Sequence, residues 1–414
     1  MSVRCGQKGG LELKYIIVLA DGMADNPVDQ LGGKTPLEYA RTPEMDRLAR
    51  CGKMGMVKTV PNSMKPGSDV ANLAVLGYDP QRNYSGRSPL EALSVGVSMK
   101  ETDIVFRCNL VTLTEEEPYE NKTILDHSSG EISTEDADIL MDAVREAFEN
   151  ESFRFYTGTS YRHVTVWNAG RVLEMEPPHD HLGEVIGPYL PTEPIFREMM
   201  EKSFEVLNNH PLNLQRAAAG KNKANSLWFW GAGTKPALSD FREKTGLSGT
   251  MISAVDLLKG IAVGTGMAVA SVQGATGSLD TNYLGKARAA LDALLKDGRD
   301  FAYIHVEAPD EMGHQGNLAH KVQSIEEIDK NIVGVVTNAL EKAGEDYRML
   351  ILPDHPTPVA IRTHTSDPVP YVLYDSRCPG KGTDGYSEKA AAATGNFEPM
   401  GYLLMEQLIG KEEQ

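Results

Sequence analysis

Asp310 and His314, two residues with metal-binding side chains, stand four positions apart in the sequence. They follow the apolar run Phe301–Val306, which has the composition of a buried strand. If the residues after Pro309 form one turn of helix, both side chains lie on a single face. A carboxylate and an imidazole placed in this way can bind one divalent ion. The alternative is a solvated turn that happens to contain an Asp and a His.

Further Asp and His residues follow other apolar runs. Asp21 comes directly after the first such run, Asp354 and His355 come after a later one, and His364 stands nine residues beyond His355. Ligands of doubly wound α/β folds lie beyond the carboxyl ends of the strands, so we expect these side chains to converge. Three Asp and three His are enough for two divalent ions, and a two-metal site suits phosphoryl transfer.

Ser68 is the candidate nucleophile. Gly67 precedes it and apolar residues with helical spacing follow it, so Ser68 is predicted at a helix N-terminus. Backbone N–H groups and the helix dipole favour an anion at that position. A metal ion beside the hydroxyl would activate it as an alkoxide. The alternative is an ordinary N-cap serine, which is the commoner use of this pattern.

The elements that must position these residues form an α/β pattern with an interruption. The segment 99–191 has an α+β texture, with strand-like alternation on either side of one helix. The chain of 414 residues is long enough for two domains. We therefore predict a discontinuous metal-binding domain, 1–98 and 192–414, and an inserted domain that closes as a lid. Its hinges are expected near Met99 and Pro191.

The inserted segment is rich in residues that could bind an anion. Any single histidine there is more often a core or surface residue than a functional one. Their joint presence in one segment, with an arginine beside a histidine, nevertheless predicts a pocket for an anionic substrate. The candidates are Asp126, His127, Arg162, His163, His179 and Asp180.

Composition excludes some classes of partner. The formal net charge is −17, which disfavours nucleic acid and anionic membranes, and it means that an anionic substrate needs metal ions or arginines nearby. No apolar run is long enough to span a bilayer. Met1–Leu13 is interpreted as a loose lead-in without the apolar stretch of a signal peptide. The four scattered cysteines argue against a disulfide framework, and together these features predict a cytoplasmic protein.

The sequence resembles the alkaline phosphatase superfamily, and within it the cofactor-independent phosphoglycerate mutases of the archaeal type. The resemblance covers nearly the whole chain after Leu13. It rests on motifs in the family's order and spacing, namely DGMAD at Asp21, PGSDVANLAVLGYDP around Ser68, GRSPLEA at Arg87, RCN at Arg107, SYRH at Arg162, PPHD at His179, EAPDEMGH at Asp310, PDHPTP at Asp354 and RTHTSDPVP at His364. It implies an alkaline-phosphatase-like doubly wound α/β sheet with helices on both faces, plus a smaller inserted α+β domain.

The resemblance also implies an activity: interconversion of 3-phosphoglycerate and 2-phosphoglycerate in glycolysis and gluconeogenesis, without 2,3-bisphosphoglycerate. It implies that Ser68 becomes phosphorylated and that two divalent ions take part, Mn²⁺ or Mg²⁺, with Zn²⁺ and Co²⁺ as further candidates. It assigns one ion to Asp21, Ser68, Asp354 and His355, and the other to Asp310, His314 and His364. The expected partner is a small phosphorylated substrate, with no nucleic acid and no membrane, and the oligomeric state is left open.

By the same resemblance the insertion binds the glycerate part of the substrate, with Arg162 and His163 as the best candidates. Bacterial relatives are expected to have a lysine near the transferring phosphoryl group. Lys221, Lys223 and Lys235 are the candidates, and the sequence does not choose among them.

Three other functions are alternatives for this branch: phosphorylation of homoserine, decarboxylation of phosphonopyruvate, and hydrolysis by a metal-dependent phosphatase. A kinase needs a nucleotide site, and the sequence has no GxxxxGK[ST] run. A metal-binding module without enzymatic activity would leave Ser68 unexplained.

Overall fold

The computed structural model describes residues 13–411. The first twelve residues, most of the segment interpreted as a loose lead-in, lie outside that range. The strands are β1 (Lys14–Ala20), β2 (Lys53–Val57), β3 (Ile104–Leu113), β4 (Ile124–Asp126), β5 (Phe153–Tyr156), β6 (Arg162–Trp167), β7 (Ser226–Thr234), β8 (Gly249–Ile252), β9 (Ala268–Ala270), β10 (Phe301–Val306), β11 (Tyr347–Leu352), β12 (Val369–Asp375) and β13 (Phe397–Glu398).

The α-helices complete the set of elements. They are α1 (Pro36–Tyr39), α2 (Pro43–Cys51), α3 (Ser68–Val75), α4 (Pro80–Asn83), α5 (Arg87–Ser94), α6 (Thr134–Phe148), α7 (Pro194–Asn208), α8 (Pro211–Ala218), α9 (Phe241–Thr245), α10 (Asp256–Gly264), α11 (Tyr283–Leu295), α12 (Ala308–His314), α13 (Leu318–Ile328), α14 (Gly334–Ala343), α15 (Glu388–Ala393) and α16 (Leu404–Ile409). A π-helical turn at Asp329–Val333 joins α13 to α14.

The chain divides into two compact units. The first contains the segments before Ser85 and after Ala237, and the second is Ser85–Ala237. The predicted insertion, 99–191, is therefore too short at both ends. The reason is that β7 pairs antiparallel with β3 and that α5 packs against both strands. The hinge positions predicted near Met99 and Pro191 consequently fall inside the second unit.

The sheet of the first unit has the strand order β13-β2-β12-β11-β1-β10-β8-β9. At its centre β1 runs parallel to both β10 and β11, with Ala20 paired with Val306 and Leu19 paired with Leu352. Because these three strands are parallel and in register, their carboxyl ends reach the same edge of the sheet. The residues that follow them are thereby brought together.

Burial explains why the central strands form. Ile16, Ile17, Val18, Leu19 and Ala20 are all fully buried, although alternate side chains of a strand point to opposite faces. The sheet is therefore covered on both faces, as a predominantly parallel α/β sheet requires. The predicted α/β class with a second, smaller α+β unit is confirmed.

The second unit has its own sheet and core. Strand β3 is buried along its whole length and pairs with β4, β6 and β7, and β5 completes the sheet beside β6. Aromatic rings of β3, β7 and α7 meet in the core, where Phe196 lies 4.7 Å from Phe106 and 5.0 Å from Phe229, measured between ring centroids. This sheet is the scaffold for the predicted substrate-binding residues.

Two further observations concern the composition-based predictions. Within residues 13–411, no helix has both the length and the apolar character needed to cross a membrane. Within the same range, Cys51 and Cys108 are free thiols.

Candidate metal centre

Helix α12 places Asp310 and His314 on one face, as predicted. The helix begins directly after β10, with Pro309 in its first turn, and His314 Nε2 lies 3.3 Å from Asp310 Oδ2. His314 Nδ1 lies 3.0 Å from the carbonyl oxygen of Arg362 and can donate a hydrogen bond to it. That contact leaves Nε2 free to act as a ligand atom.

His364 completes a first group of ligand atoms. Its Nε2 atom lies 2.9 Å from His314 Nε2 and 3.4 Å from Asp310 Oδ1. Ligand atoms of these three residues all lie within 4.8 Å of one another. Two imidazole nitrogens and a carboxylate oxygen that face one point form a donor set suited to a borderline divalent ion.

A second group shares Asp310 with the first. Asp21, Asp310 and His355 are all buried, and their ligand atoms also lie within 4.8 Å of one another. Asp354 adjoins this group, because its Oδ2 atom lies 3.4 Å from His355 Nε2. The structure thus brings together all six predicted Asp and His residues at the carboxyl edge of β1, β10 and β11.

Ser68 faces the second group. Its Oγ atom lies 3.2 Å from both Asp21 Oδ2 and His355 Nε2. The residue is the first of α3, with Gly67 as the N-cap, and its hydroxyl caps no backbone N–H. The interpretation of Ser68 as an N-cap serine is therefore wrong. The hydroxyl is directed at carboxylate and imidazole groups, where a nucleophile would be activated.

Several ionisable side chains lie close together in this centre, and they shift one another's pKa values. Burial and the nearby carboxylates of Asp354 and Asp310 raise the pKa of Asp21 well above its usual range. Burial also acts to raise the pKa of Asp310, but hydrogen bonds from His314 and His364 outweigh it and hold that pKa well below its usual range. The hydrogen bond to Asp310 in turn raises the pKa of His314 to about 9. Three carboxylates buried together need positive charge, and the donor set fits divalent ions.

Several supporting residues were missed by the sequence analysis. Asn72 donates from Nδ2 to the Ser68 carbonyl oxygen at 2.8 Å and to Asp354 Oδ2 at 3.1 Å, and it accepts from Tyr303 at 2.6 Å. It therefore fixes α3 against Asp354. No periodic pattern marks Asn72, but a buried amide within an apolar helix is itself a signal of a polar partner.

Gly22 is required by a close approach. It has φ +60°, and a Cβ atom there would lie 2.5 Å from Asp310 Oδ1 and 2.6 Å from Thr357 Oγ1. Thr357 donates a short hydrogen bond to Asp310 Oδ1. The loops that follow β1, β10 and β11 are therefore packed with no room for a side chain at position 22.

In the second unit, Arg162 and His163 do not share a pocket. They are neighbours on β6, so their side chains point to opposite faces of the sheet. Arg162 is exposed, whereas His163 is only 1% exposed and accepts a hydrogen bond from Gly158 N at Nδ1. Burial lowers the pKa of His163 to about 3. The expectation that His163 binds substrate beside Arg162 is corrected, because its ring belongs to the core.

Asp126 also has a local structural role. Its carboxylate accepts hydrogen bonds from Ser128, Gly130 and Asn222, which shape the loop after β4. The predicted residues His127 and His179 remain accessible, with ring centroids 6.1 Å apart, and Asp180 is exposed.

An arginine that was not predicted as a site residue lies near these histidines. The Arg107 guanidinium lies 4.4 Å from the Trp230 ring centroid and forms a salt bridge with Glu91, and the His179 ring lies 5.2 Å from Trp230. On the same strand, Asn109 Oδ1 accepts a hydrogen bond from Trp230 Nε1 at 3.2 Å. Arg107 and Asn109 of the RCN motif thus share one face of the second sheet, whereas Cys108 points to the opposite face and lies in the core.

The three candidate lysines lie in the second unit. Lys223 pairs with Glu115 at 2.9 Å and Lys235 pairs with Glu101 at 2.7 Å, while Lys221 is exposed. The first unit instead has two fully buried lysines, Lys286 and Lys321. Neither lysine was predicted as a site residue.

Comparisons with known proteins identify a family. Residues 49–213 match the family described as 2,3-bisphosphoglycerate-independent phosphoglycerate mutase. A Geobacter sulfurreducens protein named probable 2,3-bisphosphoglycerate-independent phosphoglycerate mutase is 47% identical over 406 residues, which cover 96% of this chain and 100% of that protein. A Methanosarcina mazei protein named as the same mutase is 46% identical over 403 residues, covering 96% of this chain and 99% of the relative.

Solved structures show the same likeness. A protein from Pyrococcus horikoshii is 30% identical with a TM-score of 0.80, over 98% of this chain and 99% of that one. The cofactor-independent phosphoglycerate mutase from Thermoplasma acidophilum is 25% identical with a TM-score of 0.66, over 96% and 99% of the two chains. With the buried carboxylate and imidazole groups around Ser68, these similarities show that the chain belongs to the family of 2,3-bisphosphoglycerate-independent phosphoglycerate mutases.

Proposed function

We propose that this protein interconverts 3-phosphoglycerate and 2-phosphoglycerate without 2,3-bisphosphoglycerate. The observation that carries the proposal is the position of Ser68 Oγ, 3.2 Å from both Asp21 and His355 within a cluster of six metal-type side chains. The names of relatives that match this chain over nearly its whole length support it. A glycolytic role places the protein in the cytoplasm.

The proposal includes two divalent ions, Mn²⁺ or Mg²⁺. One is assigned to Asp310, His314 and His364, and the other to Asp21, Ser68, Asp354 and His355. When bound, such ions neutralise charge on phosphoryl oxygens and favour the ionised form of a nearby hydroxyl. The mixture of carboxylate oxygens and imidazole nitrogens also suits Zn²⁺ and Co²⁺, which remain further candidates.

Ser68 is the proposed nucleophile. Its oxygen attacks the phosphorus of the bound phosphoglycerate as the bond from phosphorus to the substrate oxygen breaks, and the proton lost by the Ser68 hydroxyl is balanced by a proton gained by the leaving glycerate oxygen. The product is a phosphoserine and a glycerate that stays bound. The other hydroxyl of the glycerate then attacks the phosphoserine, which regenerates Ser68. The hydrogen bond from Ser68 to Asp21 orients the attacking oxygen.

The second unit is proposed to bind the glycerate part of the substrate. Arg162 is an exposed guanidinium on β6, and such a group can bind a carboxylate through two parallel hydrogen bonds. His127 and His179 are further accessible candidates. Retention of the glycerate between the two transfer steps requires exclusion of water, since hydrolysis of the phosphoserine would release inorganic phosphate.

One experiment separates this function from its alternatives. The purified protein with Mn²⁺ is given 3-phosphoglycerate alone, and separately homoserine with ATP. We expect 2-phosphoglycerate to form in the first reaction and no phosphohomoserine in the second. Release of mainly inorganic phosphate would identify a phosphatase instead, and phosphohomoserine would identify a kinase.

A further inference from the structure

Lys321 is a charged residue that joins two of the loops carrying the candidate metal ligands, namely the loops after β1 and after β11. It lies on α13, and its side chain is fully buried. A buried ammonium is costly unless all of its N–H groups have partners. Its Nζ atom donates to Asp25 Oδ2 at 2.8 Å, to the Thr357 carbonyl oxygen at 2.8 Å and to the Ala24 carbonyl oxygen at 3.3 Å. Its three donors are therefore all used.

These partners belong to two different loops. Ala24 and Asp25 lie in the loop after β1, a few residues beyond Asp21, and Thr357 lies in the loop after β11, two residues beyond His355. The backbones of the two loops also meet directly, because Thr357 N donates to the Ala24 carbonyl oxygen at 3.2 Å. The Lys321 ammonium thus bonds to both loops at the place where they contact each other.

Asp25 extends the same connection. Its Oδ2 atom also accepts a hydrogen bond from Val359 N at 3.1 Å. The ion pair of Lys321 and Asp25 therefore bonds to the loop after β11 at Val359 as well as at Thr357. Thr357 also connects these two loops to the segment after β10, because its hydroxyl donates to Asp310 Oδ1. Movement of Thr357 would consequently displace Asp310, which belongs to both groups of ligand atoms.

We propose that Lys321 is a positioning residue that holds the loop carrying Asp21 against the loop carrying Asp354 and His355, and that it thereby sets the affinity of the centre for divalent ions. Lys321 touches no proposed ligand atom and acts through the backbone of the two loops. The inference rests on the proposed two-metal site. In addition to the proposed ligands, it assigns a role to Lys321, which fixes the distance between Asp21 and the pair Asp354 and His355. These ligands are about 330 positions apart in the chain.

The test is Mn²⁺ binding to the purified full chain, measured by calorimetry and by electron paramagnetic resonance. Lys321→Met keeps the length and apolar part of the side chain but leaves the Asp25 carboxylate buried without a counter-ion. The double variant Asp25→Asn/Lys321→Met removes that unpaired charge. We expect both variants to bind Mn²⁺ about 10- to 100-fold more weakly than the wild type, as with other residues that support metal ligands.

Lys122→Met is the matched control. Lys122 is also buried, at 1% exposure, and donates to Glu117 at 2.9 Å, but it lies in the second unit. Its loss should reduce stability and leave the Kd for Mn²⁺ unchanged. The proposal is overturned if the folded double variant binds Mn²⁺ within twofold of the wild type, or if Lys122→Met weakens binding equally. A wild type that binds no Mn²⁺ would instead refute the two-metal site itself.

Discussion

His305 Nε2 lies 2.9 Å from Asp21 Oδ2, in a part of the core where both side chains are shielded from solvent. Burial lowers the pKa of His305 to about 3, so its ring is neutral and has a single N–H. Val255 N donates to Ser253 Oγ at 3.0 Å, and Ser253 Oγ lies 3.2 Å from His305 Nδ1. When Asp21 is ionised, as a metal ligand must be, His305 donates to it from Nε2, and Nδ1 then accepts from the Ser253 hydroxyl.

We expect His305→Phe to weaken one of the two metal sites selectively. The phenyl ring fills the same space but cannot hold the Asp21 carboxylate in place. Mn²⁺ affinity should fall about 10- to 100-fold at the site that contains Asp21, and change little at Asp310, His314 and His364. Calorimetric titration with two resolved binding steps measures this. Ser253→Ala should have a smaller effect in the same direction. Equal weakening of both sites would contradict the assignment.

Ser68→Ala should abolish the mutase reaction by removing the nucleophile. We expect turnover of 3-phosphoglycerate to fall at least about 10³-fold, as when other covalent nucleophiles are removed. Intact-mass analysis after addition of substrate should show a phosphoryl adduct on the wild type and none on the variant. Ser63→Ala, at an exposed serine five positions earlier, is the control and should retain full activity. An active Ser68→Ala enzyme would rule out the covalent route.

Gly22→Ala tests the close packing of the three loops. An added Cβ would lie 2.5–2.6 Å from Asp310 and Thr357, and φ +60° adds backbone strain. The melting temperature and Mn²⁺ affinity should both fall, with a loss of stability of about 1–3 kcal/mol. Gly32→Ala is a matched control, since Gly32 has φ +68° and no heavy atom within 4 Å of its ideal Cβ position. It should cost stability alone and leave Mn²⁺ binding intact.

The stability of the protein should contain a pH-dependent contribution from Asp329. Burial raises the pKa of this carboxyl to about 6, even though it accepts hydrogen bonds from Met45 N and Glu44 N at the start of α2. The unfolded chain loses the Asp329 proton near pH 4 and the folded chain near pH 6. The folded state therefore binds more protons between these values, and the contribution of Asp329 to stability falls as pH rises from about 4 to about 6.

Asp329→Asn removes this titration. Urea unfolding of wild type and variant across pH 4–7 should show their difference in unfolding free energy changing by about 2 kcal/mol, with the wild type becoming less stable relative to the variant as pH rises. The amide oxygen can still accept from Met45 N, so the variant remains folded. A difference that does not depend on pH would exclude the raised pKa.

Arg162→Ala should weaken substrate binding without unfolding the second unit, because the side chain is exposed. We expect KM for 3-phosphoglycerate to rise about tenfold or more, the effect of losing a charge-assisted hydrogen bond. Arg154→Ala, an exposed arginine on the neighbouring strand β5, should leave KM unchanged. His163→Ala should lower the melting temperature, since its ring is buried. An unchanged KM for Arg162→Ala would remove this residue from the proposed substrate site.

The sequence predicted the metal-type cluster because its members follow apolar runs at strand ends, where parallel topology makes them converge. His305 and Lys321 were missed for a physical reason. His305 lies on the apolar strand β10, and Lys321 lies on the amphipathic helix α13. The hydrophobic periodicity of these elements does not show that either side chain is buried against polar partners. Their partners, Asp21 and Asp25, are nearly 300 positions away in the chain.

The errors in the second unit have different causes. The pairing of Arg162 with His163 ignored strand alternation, a rule that could have been applied to the sequence alone. The domain boundary was beyond such rules. Strand β7 has the composition of any buried strand, and its partner β3 lies more than a hundred positions earlier, so hydrophobic pattern could not assign β7 to a sheet.

The position of β1 has a consequence for biosynthesis. Both of its neighbours in the sheet, Phe301–Val306 and Tyr347–Leu352, are translated roughly 300 residues after it. The apolar strand must therefore leave the ribosome long before its binding partners exist, and it needs protection from aggregation during that time. The second unit is one contiguous segment and can fold while translation continues. Assembly around β1 is consequently a late, long-range step that depends on nearly complete synthesis of the chain.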